Sequence, residues 1–336
     1  MSTPRFPTLA IIGTGAMGRG IAQIAAQAGS TVRLYDSQPE AVARALAALG
    51  ALWDMLVAKG RVTADDAAAF KDRLQPATRL AELADCGLVV EAIVERLDVK
   101  QALFAELEDI VAPDAVLASN TSSLSVTAIA AGLKRPQRLA GYHFFNPVPL
   151  MKVVEVIAGL KTDPEACQAL ADYGRQMGHT PVRAGDTPGF IVNHAGRGYG
   201  TEALRIVSEG VTDFATVDRI LKDQAGFRLG PFELFDLTAL DVSHPVMESI
   251  YRQYYDEPRY RPSVITAQRL AGGVLGRKSG EGFYEYVDGA AQVAPEPPVP
   301  QVAELPPVWV SARAARRTEL LQLLKDLGAR IETGQA

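Results

Sequence analysis

The sequence predicts a doubly wound α/β domain with an inserted helical hairpin, followed by an all-α C-terminal domain. Three observations carry that expectation. Through the first half of the chain, short apolar strands alternate with helix-length stretches, which implies a mainly parallel sheet with helices on both faces. One segment, Glu40 to Leu74, interrupts the rhythm by being helical almost throughout. After Pro188 the strand pattern disappears.

The elements follow in order. Leu9 to Ile12 reads as a buried strand, Ala16 to Ala28 as a helix stopped by Gly29, and Thr31 to Tyr35 as a second strand. In the inserted segment Leu49, Leu52, Trp53 and Leu56 line one face, and Gly60 stands where two helices can turn back on each other. Further strands are expected at Gly87 to Ile93, Ala115 to Ala118, Arg138 to Phe144, Val153 to Ile157 and Thr180 to Arg183. Helices fit Lys100 to Val111, bounded by Pro113, and Pro164 to Met177, bounded by Gly178. From Gly189 to Leu275 the chain reads as helices broken by Gly230-Pro231 and by Pro258 to Pro262. Six prolines between Pro295 and Pro307 read as a stiff linker, and beyond them Val308 to Val310, Thr318 to Leu327 and Ala329 to Ile331 read as strand, helix, strand. The expected division is therefore 1–185, 186–286, a linker over 287–307 and a tail over 308–336.

Composition narrows the class. The chain has 336 residues, 48% apolar and 22% charged, enough to bury a sizeable core. A net charge of −5 from 34 basic and 39 acidic residues gives no footprint for nucleic acid, and no basic amphipathic stretch suggests a membrane partner. Two cysteines, Cys86 and Cys167, can form neither a disulfide framework nor a zinc cluster; no metal site is expected. Met1 to Pro7 lacks the apolar core of a signal peptide. A soluble cytoplasmic protein is the expectation.

Gly13-Thr-Gly15-Ala-Met17-Gly18 is a G-x-G-x-x-G turn between the first strand and the first helix. The first glycine makes the tight turn, the second lets a pyrophosphate approach the backbone, and the third lets helix and strand pack closely. The strand–helix–strand unit closes on Asp36, whose carboxylate can bond a ribose 2′-hydroxyl and would repel a 2′-phosphate. NAD is thus favoured over NADP, with Gly13, Gly15, Met17, Gly18 and Asp36 as its expected contacts. The competing reading is a structural turn beside a solvated aspartate.

Further motifs follow in order: Asn120-Thr-Ser-Ser-Leu124, His143-Phe-Phe-Asn-Pro-Val-Pro149, Asp186-Thr-Pro-Gly-Phe-Ile-Val-Asn193, Gly230-Pro-Phe-Glu-Leu234, Gly276-Arg-Lys-Ser-Gly280 and Gly282-Phe-Tyr284. This set resembles the L-3-hydroxyacyl-CoA dehydrogenases, including the 3-hydroxybutyryl-CoA enzymes, over roughly residues 8 to 286. The resemblance implies a Rossmann-type NAD domain, a helical domain that dimerises, an acyl-CoA substrate and an active site in the cleft between the domains.

Oxidising a secondary alcohol needs a base, and histidine suits that task near neutral pH. Of the four histidines, His143 ends an apolar strand inside a proline-containing turn, and Glu155 lies twelve residues later on the returning strand. The two could meet across the turn, where the carboxylate would fix the tautomer and stabilise the imidazolium. The resemblance assigns the His–acid dyad to His143 and Glu155, and the substrate contacts to Ser122 and Asn193. Alternatives for the latter are a helix cap near Val126 and a bond within a helix. Glu95 and Lys100 match positions near the nicotinamide side, with a solvated charge pair as the competing reading. Asn120 falls at a strand's C-terminal end, where such sheets place cofactor contacts. His194 and His179 stand where the family often has arginine and lysine.

Two other functions compete with the dehydrogenase. A 3-hydroxyisobutyrate-type enzyme would rely on a lysine and not on a His–Glu pair. A dinucleotide-binding structural protein without activity would retain the fold alone. The last fifty residues resemble the connector in longer family members that carry a second helical domain, so the chain is expected to be a shortened form or an excised fragment of that architecture.

Overall fold

Alternate residues of the first strand face opposite sides of a sheet: Leu9 and Ile11 enter one core, Ala10 and Ile12 another. The structure is a computed structural model that describes residues 3–293, 295 and 306–332. Eight strands form the sheet: β1 (Thr8–Ile12), β2 (Thr31–Tyr35), β3 (Leu74–Pro76), β4 (Leu88–Glu91), β5 (Val116–Ser119), β6 (Leu139–Phe144), β7 (Val153–Ala158) and β8 (Thr180–Gly185). Their order is β3-β2-β1-β4-β5-β6-β7-β8, with β6 and β7 antiparallel and every other neighbouring pair parallel. The chain winds outward from β1 in one direction and from β4 in the other. The crevice beyond the carboxyl ends of β1 and β4 is the switch point where doubly wound sheets bind ligands.

Helices cover both faces: α1 (Ala16–Gln27), α2 (Pro39–Ala58), α3 (Ala64–Asp72), α4 (Leu97–Ile110), α5 (Val126–Ala130) and α6 (Pro164–Gln176). The expected hairpin is α2 and α3, turning at Gly60 with φ +65°. It packs on the sheet core through Leu49, Trp53 and Phe70, with Leu52 and Leu56 partly buried beside them. By length and composition alone α2 could cross a membrane; here Val42, Ala45, Leu49 and Trp53 are buried in the protein core. The edge strand β3 was not anticipated. It is three residues long and its Pro76 suits only a sheet edge, so no alternating pattern announces it. Strand β4 ends at Glu91, short of the expected Ile93, because the Ile93 amide turns back to donate to the Glu91 side chain at 2.7 Å.

The helical segment comprises α7 (Val192–Ala195), α8 (Arg197–Ser208), α9 (Phe214–Asp223), α10 (Pro231–Thr238), α11 (Leu240–Gln253) and α12 (Val264–Ala271). Two buried aspartates organise its core. Asp218 accepts from the Phe232 and Glu233 amides and the Tyr284 hydroxyl; Asp236 accepts from the Phe283 and Tyr284 amides and the Tyr286 hydroxyl. A side chain at Gly282 would collide with Asp236 Oδ1 at 2.1 Å. The motifs around Gly230 and Gly282 therefore serve this core. A short hairpin, β9 (Glu285–Val287) and β10 (Ala290–Gln292), follows.

Residues 294 and 296–305, most of the expected proline-rich linker, lie outside the described residues. A separate compact unit begins at Gln292. Within it β11 (Val308–Trp309) and β12 (Ile331–Glu332) pair in parallel around α13 (Arg317–Asp326), the expected strand–helix–strand order.

Candidate active site

The glycine turn has the shape its sequence requires. Gly13 adopts φ +91°, a conformation open to glycine, and its amide donates to Tyr35 O at 2.9 Å. A Cβ on Gly18 would lie 1.8 Å from Gly13 O and 3.2 Å from Ile11, so only glycine lets α1 pack this close to β1. A Cβ on Gly15 would meet nothing within 4 Å. That open backbone at the N-terminus of α1 is the surface a pyrophosphate needs. Asp36, at the end of β2, accepts from Thr14 N at 2.8 Å and Thr14 Oγ1 at 2.9 Å, which aims its carboxylate at the turn. Met17 is half-buried against the sheet core beneath the turn. These residues fit a dinucleotide.

His143 and Glu155 are direct cross-strand partners on β6 and β7. Residues opposite each other in an antiparallel pair share a face, and the imidazole Nδ1 lies 2.6 Å from Glu155 Oε2. The Phe145 and Phe190 rings flank the imidazole, with centroids 4.5 and 5.8 Å away. Glu155 Oε1 accepts from the Ile191 and Val192 amides at 3.0 and 2.9 Å. Burial alone would raise the Glu155 carboxyl, but the bonds from His143 and these amides outweigh it and hold the group below its usual 4.5.

A second network is centred on Glu91, which escaped the sequence reading. Glu91 and Lys100 are both buried, Lys100 to 1% exposure. Lys100 Nζ lies 2.5 Å from Glu91 and 3.2 Å from Glu95, and Ser119 Oγ donates to Glu91 at 2.6 Å. Lys100 is therefore an interior cation, not half of a solvated pair. Glu95 in turn accepts from Thr121 Oγ1 at 2.7 Å, Ser122 N at 2.8 Å and Ser123 N at 3.1 Å, so it shapes the loop that presents Ser122. Burial opposes ionisation of Glu95, but the Lys100 charge and the loop donors hold its carboxyl below 4.5. The signal for Glu91 was available: an acidic residue ending a wholly apolar strand, with a lysine nine positions on.

The remaining candidates converge on the same edge. Asn120 Oδ1 accepts from the Phe144 amide at 2.9 Å and ties the end of β5 to that of β6. Asn193 Nδ2 donates to Ser122 O at 3.3 Å rather than to its own helix, and Gln253 Nε2 donates to Ser123 O at 2.8 Å. Ser122 caps nothing; Ser125 caps α5, whose first amides also donate to Asp186. The loop is thus gripped by α7 and α11. His194 departs from an ion-pairing role: it packs against the Tyr254 and Tyr260 rings, and its Nδ1 is 2.9 Å from Tyr254 Oη. His179 is buried under the turn with Nε2 3.0 Å from Val148 O. Both cysteines are buried and free, and burial pushes the Cys86 thiol up to about 12. Among the described residues no cluster of metal-ligating side chains exists.

A doubly wound sheet with an open glycine turn, an aspartate ending the second strand beside it and a His–Glu pair at the same edge defines a dinucleotide-binding protein of the dehydrogenase class. Residues 8–187 match the model of the 3-hydroxyacyl-CoA dehydrogenase NAD binding domain, and residues 189–286 match that of the C-terminal domain of the same enzymes. The chain belongs to the 3-hydroxyacyl-CoA dehydrogenase family. It is 45% identical over 279 residues to the 3-hydroxyadipyl-CoA dehydrogenase of Escherichia coli, covering 83% of this chain and 59% of that protein. It is 41% identical to a probable 3-hydroxybutyryl-CoA dehydrogenase of Deinococcus radiodurans, covering 82% of this chain and 99% of that protein. A crystal structure of (S)-3-hydroxybutyryl-CoA dehydrogenase from Ralstonia eutropha superposes with a TM-score of 0.81 at 35% identity, covering 84% of this chain and all of that one. The chain spans about three fifths of the length of the E. coli relative.

Proposed function

We propose that the chain catalyses NAD-dependent oxidation of an L-3-hydroxyacyl-CoA to the 3-oxoacyl-CoA, with His143 as general base and Glu155 as its acid partner. The 2.6 Å contact between them carries this reading. The carboxylate bonds Nδ1, leaving Nε2 to take the hydroxyl proton, and its negative charge stabilises the imidazolium that results. Bound NAD supplies the hydride acceptor. Ser122 and Asn193 hold the substrate's oxygens and so orient C3, because each lies on an element pinned by the other: the Asn193 amide bonds the Ser122 carbonyl. Glu95 and Lys100 act from behind the cofactor site, with Asn120 bracing the strand ends.

The substrates proposed are 3-hydroxybutyryl-CoA and 3-hydroxyadipyl-CoA, which the relatives' names support, in fatty-acid or aromatic-acid degradation. The α2–α3 hairpin would hold the CoA moiety. A homodimer through the helical segment is supported by apolar side chains exposed there, among them Ile206, Val211, Ile220, Leu237 and Val242. The buried, free cysteines suit a reducing cytoplasm. Absorbance at 340 nm with NAD and each acyl-CoA tests the reading. NADH formation is expected with at least one of them; none with either would overturn it.

A further inference from the structure

One half-buried cation has no partner. Arg197 opens α8, and its Nε and Nη1 are enclosed by protein without a hydrogen-bond acceptor. Among the described residues its guanidinium takes part in no ion pair or hydrogen bond. A charge withdrawn from water is paired or costs heavily. The other arginines with an enclosed nitrogen have company: Arg138 donates to Ala112 O and Glu108 O, Arg33 pairs with Asp85, and Arg269 lies 4.3 Å over the Phe283 ring. Burial pulls the guanidinium groups of Arg138, Arg269 and Arg197 below their ordinary range. Nearby carboxylates push back on the first two, and none does on Arg197.

Its place on the helix says what the missing partner is. Asn193, Arg197 and Thr201 follow one another at intervals of four, and Gly196 joins α7 to α8 with helical angles, φ −71° and ψ −13°. Residues four apart share a helix face, and their side chains lean towards the helix N-terminus. At one end of this stripe Asn193 bonds the Ser122 carbonyl; at the other Thr201 Oγ1 bonds Arg259 O. Arg197 thus stands about one turn, 5.4 Å, from Asn193 and leans towards it. Three to four carbon–carbon bonds of about 1.5 Å each bridge such a span. The phosphates of CoA are separated from the acyl group by the whole pantetheine arm, so an anion this close to C3 belongs to the acyl chain itself. Guanidinium bonds carboxylate through two parallel N–H donors. Nη2, common to both of those paired edges, is the nitrogen of Arg197 that is not enclosed.

We propose that Arg197 is a specificity-determining residue of the acyl site, which binds a carboxylate at the far end of the acyl chain and so selects a dicarboxylic 3-hydroxyacyl-CoA. The proposal rests on the acyl-CoA dehydrogenase reading, with Asn193 as a substrate contact. Of the two proposed substrates it favours 3-hydroxyadipyl-CoA, whose carboxylate lies three carbons beyond C3.

NADH formation by the whole chain with 3-hydroxyadipyl-CoA and with 3-hydroxyhexanoyl-CoA, the same six carbons ending in a methyl group, tests it. Wild type should favour the diacid at least about tenfold in kcat/KM. Arg197→Met keeps the apolar stem and should lower that preference about a hundredfold, chiefly by raising KM for the diacid, the size expected when a charge-assisted pair is lost from a partly enclosed site. Arg197→Lys keeps the charge without the fork and should lower the preference several-fold, a readout that stands even where the methionine variant does not fold. An unchanged preference in either variant would overturn the proposal. So would wild type with equal kcat/KM for both chains, or oxidation of 3-hydroxybutyryl-CoA alone; each leaves the dehydrogenase reading intact. Equal loss on both six-carbon substrates in Arg197→Met would make the arginine structural and overturn its role in selection. Oxidation of none of the three would overturn the acyl-CoA reading itself.

Discussion

His143 and Glu155 face each other across β6 and β7, and the oxygen of Glu155 that does not touch His143 accepts the amides that open the helical segment. One carboxylate therefore orients the imidazole and fixes the start of α7, the helix that carries Asn193. Glu155→Gln keeps the shape and an acceptor for the two amides but removes the charge that stabilises an imidazolium. A fall in kcat of about 10²- to 10³-fold is expected, with KM for the acyl-CoA changed only a few-fold. His143→Ala should cost about as much or more. Half of wild-type kcat in Glu155→Gln would remove the carboxylate from the mechanism.

The lowered Glu155 carboxyl makes a prediction about acid stability. Its folded-state pKa lies below the ordinary 4.5. A group depressed in this way contributes stability above its unfolded pKa, and that contribution is lost as pH falls through the folded value. Glu95 is depressed in the same sense. Urea midpoints should therefore show wild type more stable than Glu155→Gln at pH 7, with the gap narrowing from pH 5 down to pH 3. A gap that stays constant over that range would mean the ionised carboxylate is not its source.

Periodicity and punctuation made most of this fold legible. Alternating apolar runs located seven of the eight sheet strands, and Gly60 correctly marked the hairpin turn. Strand β3 was invisible because three residues ending in proline carry no alternation. The His143–Glu155 contact was readable because twelve residues of strand, turn and strand bring positions 143 and 155 into register, a local relationship. The Glu91–Lys100 pair was harder. A buried lysine and a solvated lysine look alike in sequence, and only the closed environment between β4, α4 and β5 separates them. The grip of Asn193 and Gln253 on Ser122 and Ser123 joins residues 71 and 130 positions apart, and no local pattern encodes that.

Lys100 should be needed for stability as well as for shaping the loop. Lys100→Met leaves two carboxylates, Glu91 and Glu95, facing each other without the cation between them. Removing one partner of a buried ion pair costs about 3–5 kcal/mol, because the remaining charge is left uncompensated. Pairing the change with Glu91→Gln should restore part of the loss, a coupling of about 1 kcal/mol or more in a double-mutant cycle followed by urea unfolding. Strictly additive losses would show that the two side chains do not act as a pair.

Two glycines of one turn should fail in different ways. At Gly15 the backbone is in an ordinary extended conformation, φ −62° and ψ −168°, and an added methyl group meets open space. Gly15→Ala should therefore fold with stability within about 0.5 kcal/mol of wild type. The methyl would occupy the face where a pyrophosphate approaches, so NADH affinity should fall at least about tenfold. At Gly18 the same methyl lands 1.8 Å from Gly13 O, and relief requires moving α1 away from β1. Gly18→Ala should lower thermal stability and nucleotide affinity together. The discriminating measurement is a pair of melting curves with and without NADH. Gly15→Ala should melt like wild type without nucleotide and gain less from it, and Gly18→Ala should melt early in both. If Gly15→Ala binds NADH as wild type does, the open backbone face is not where the pyrophosphate rests.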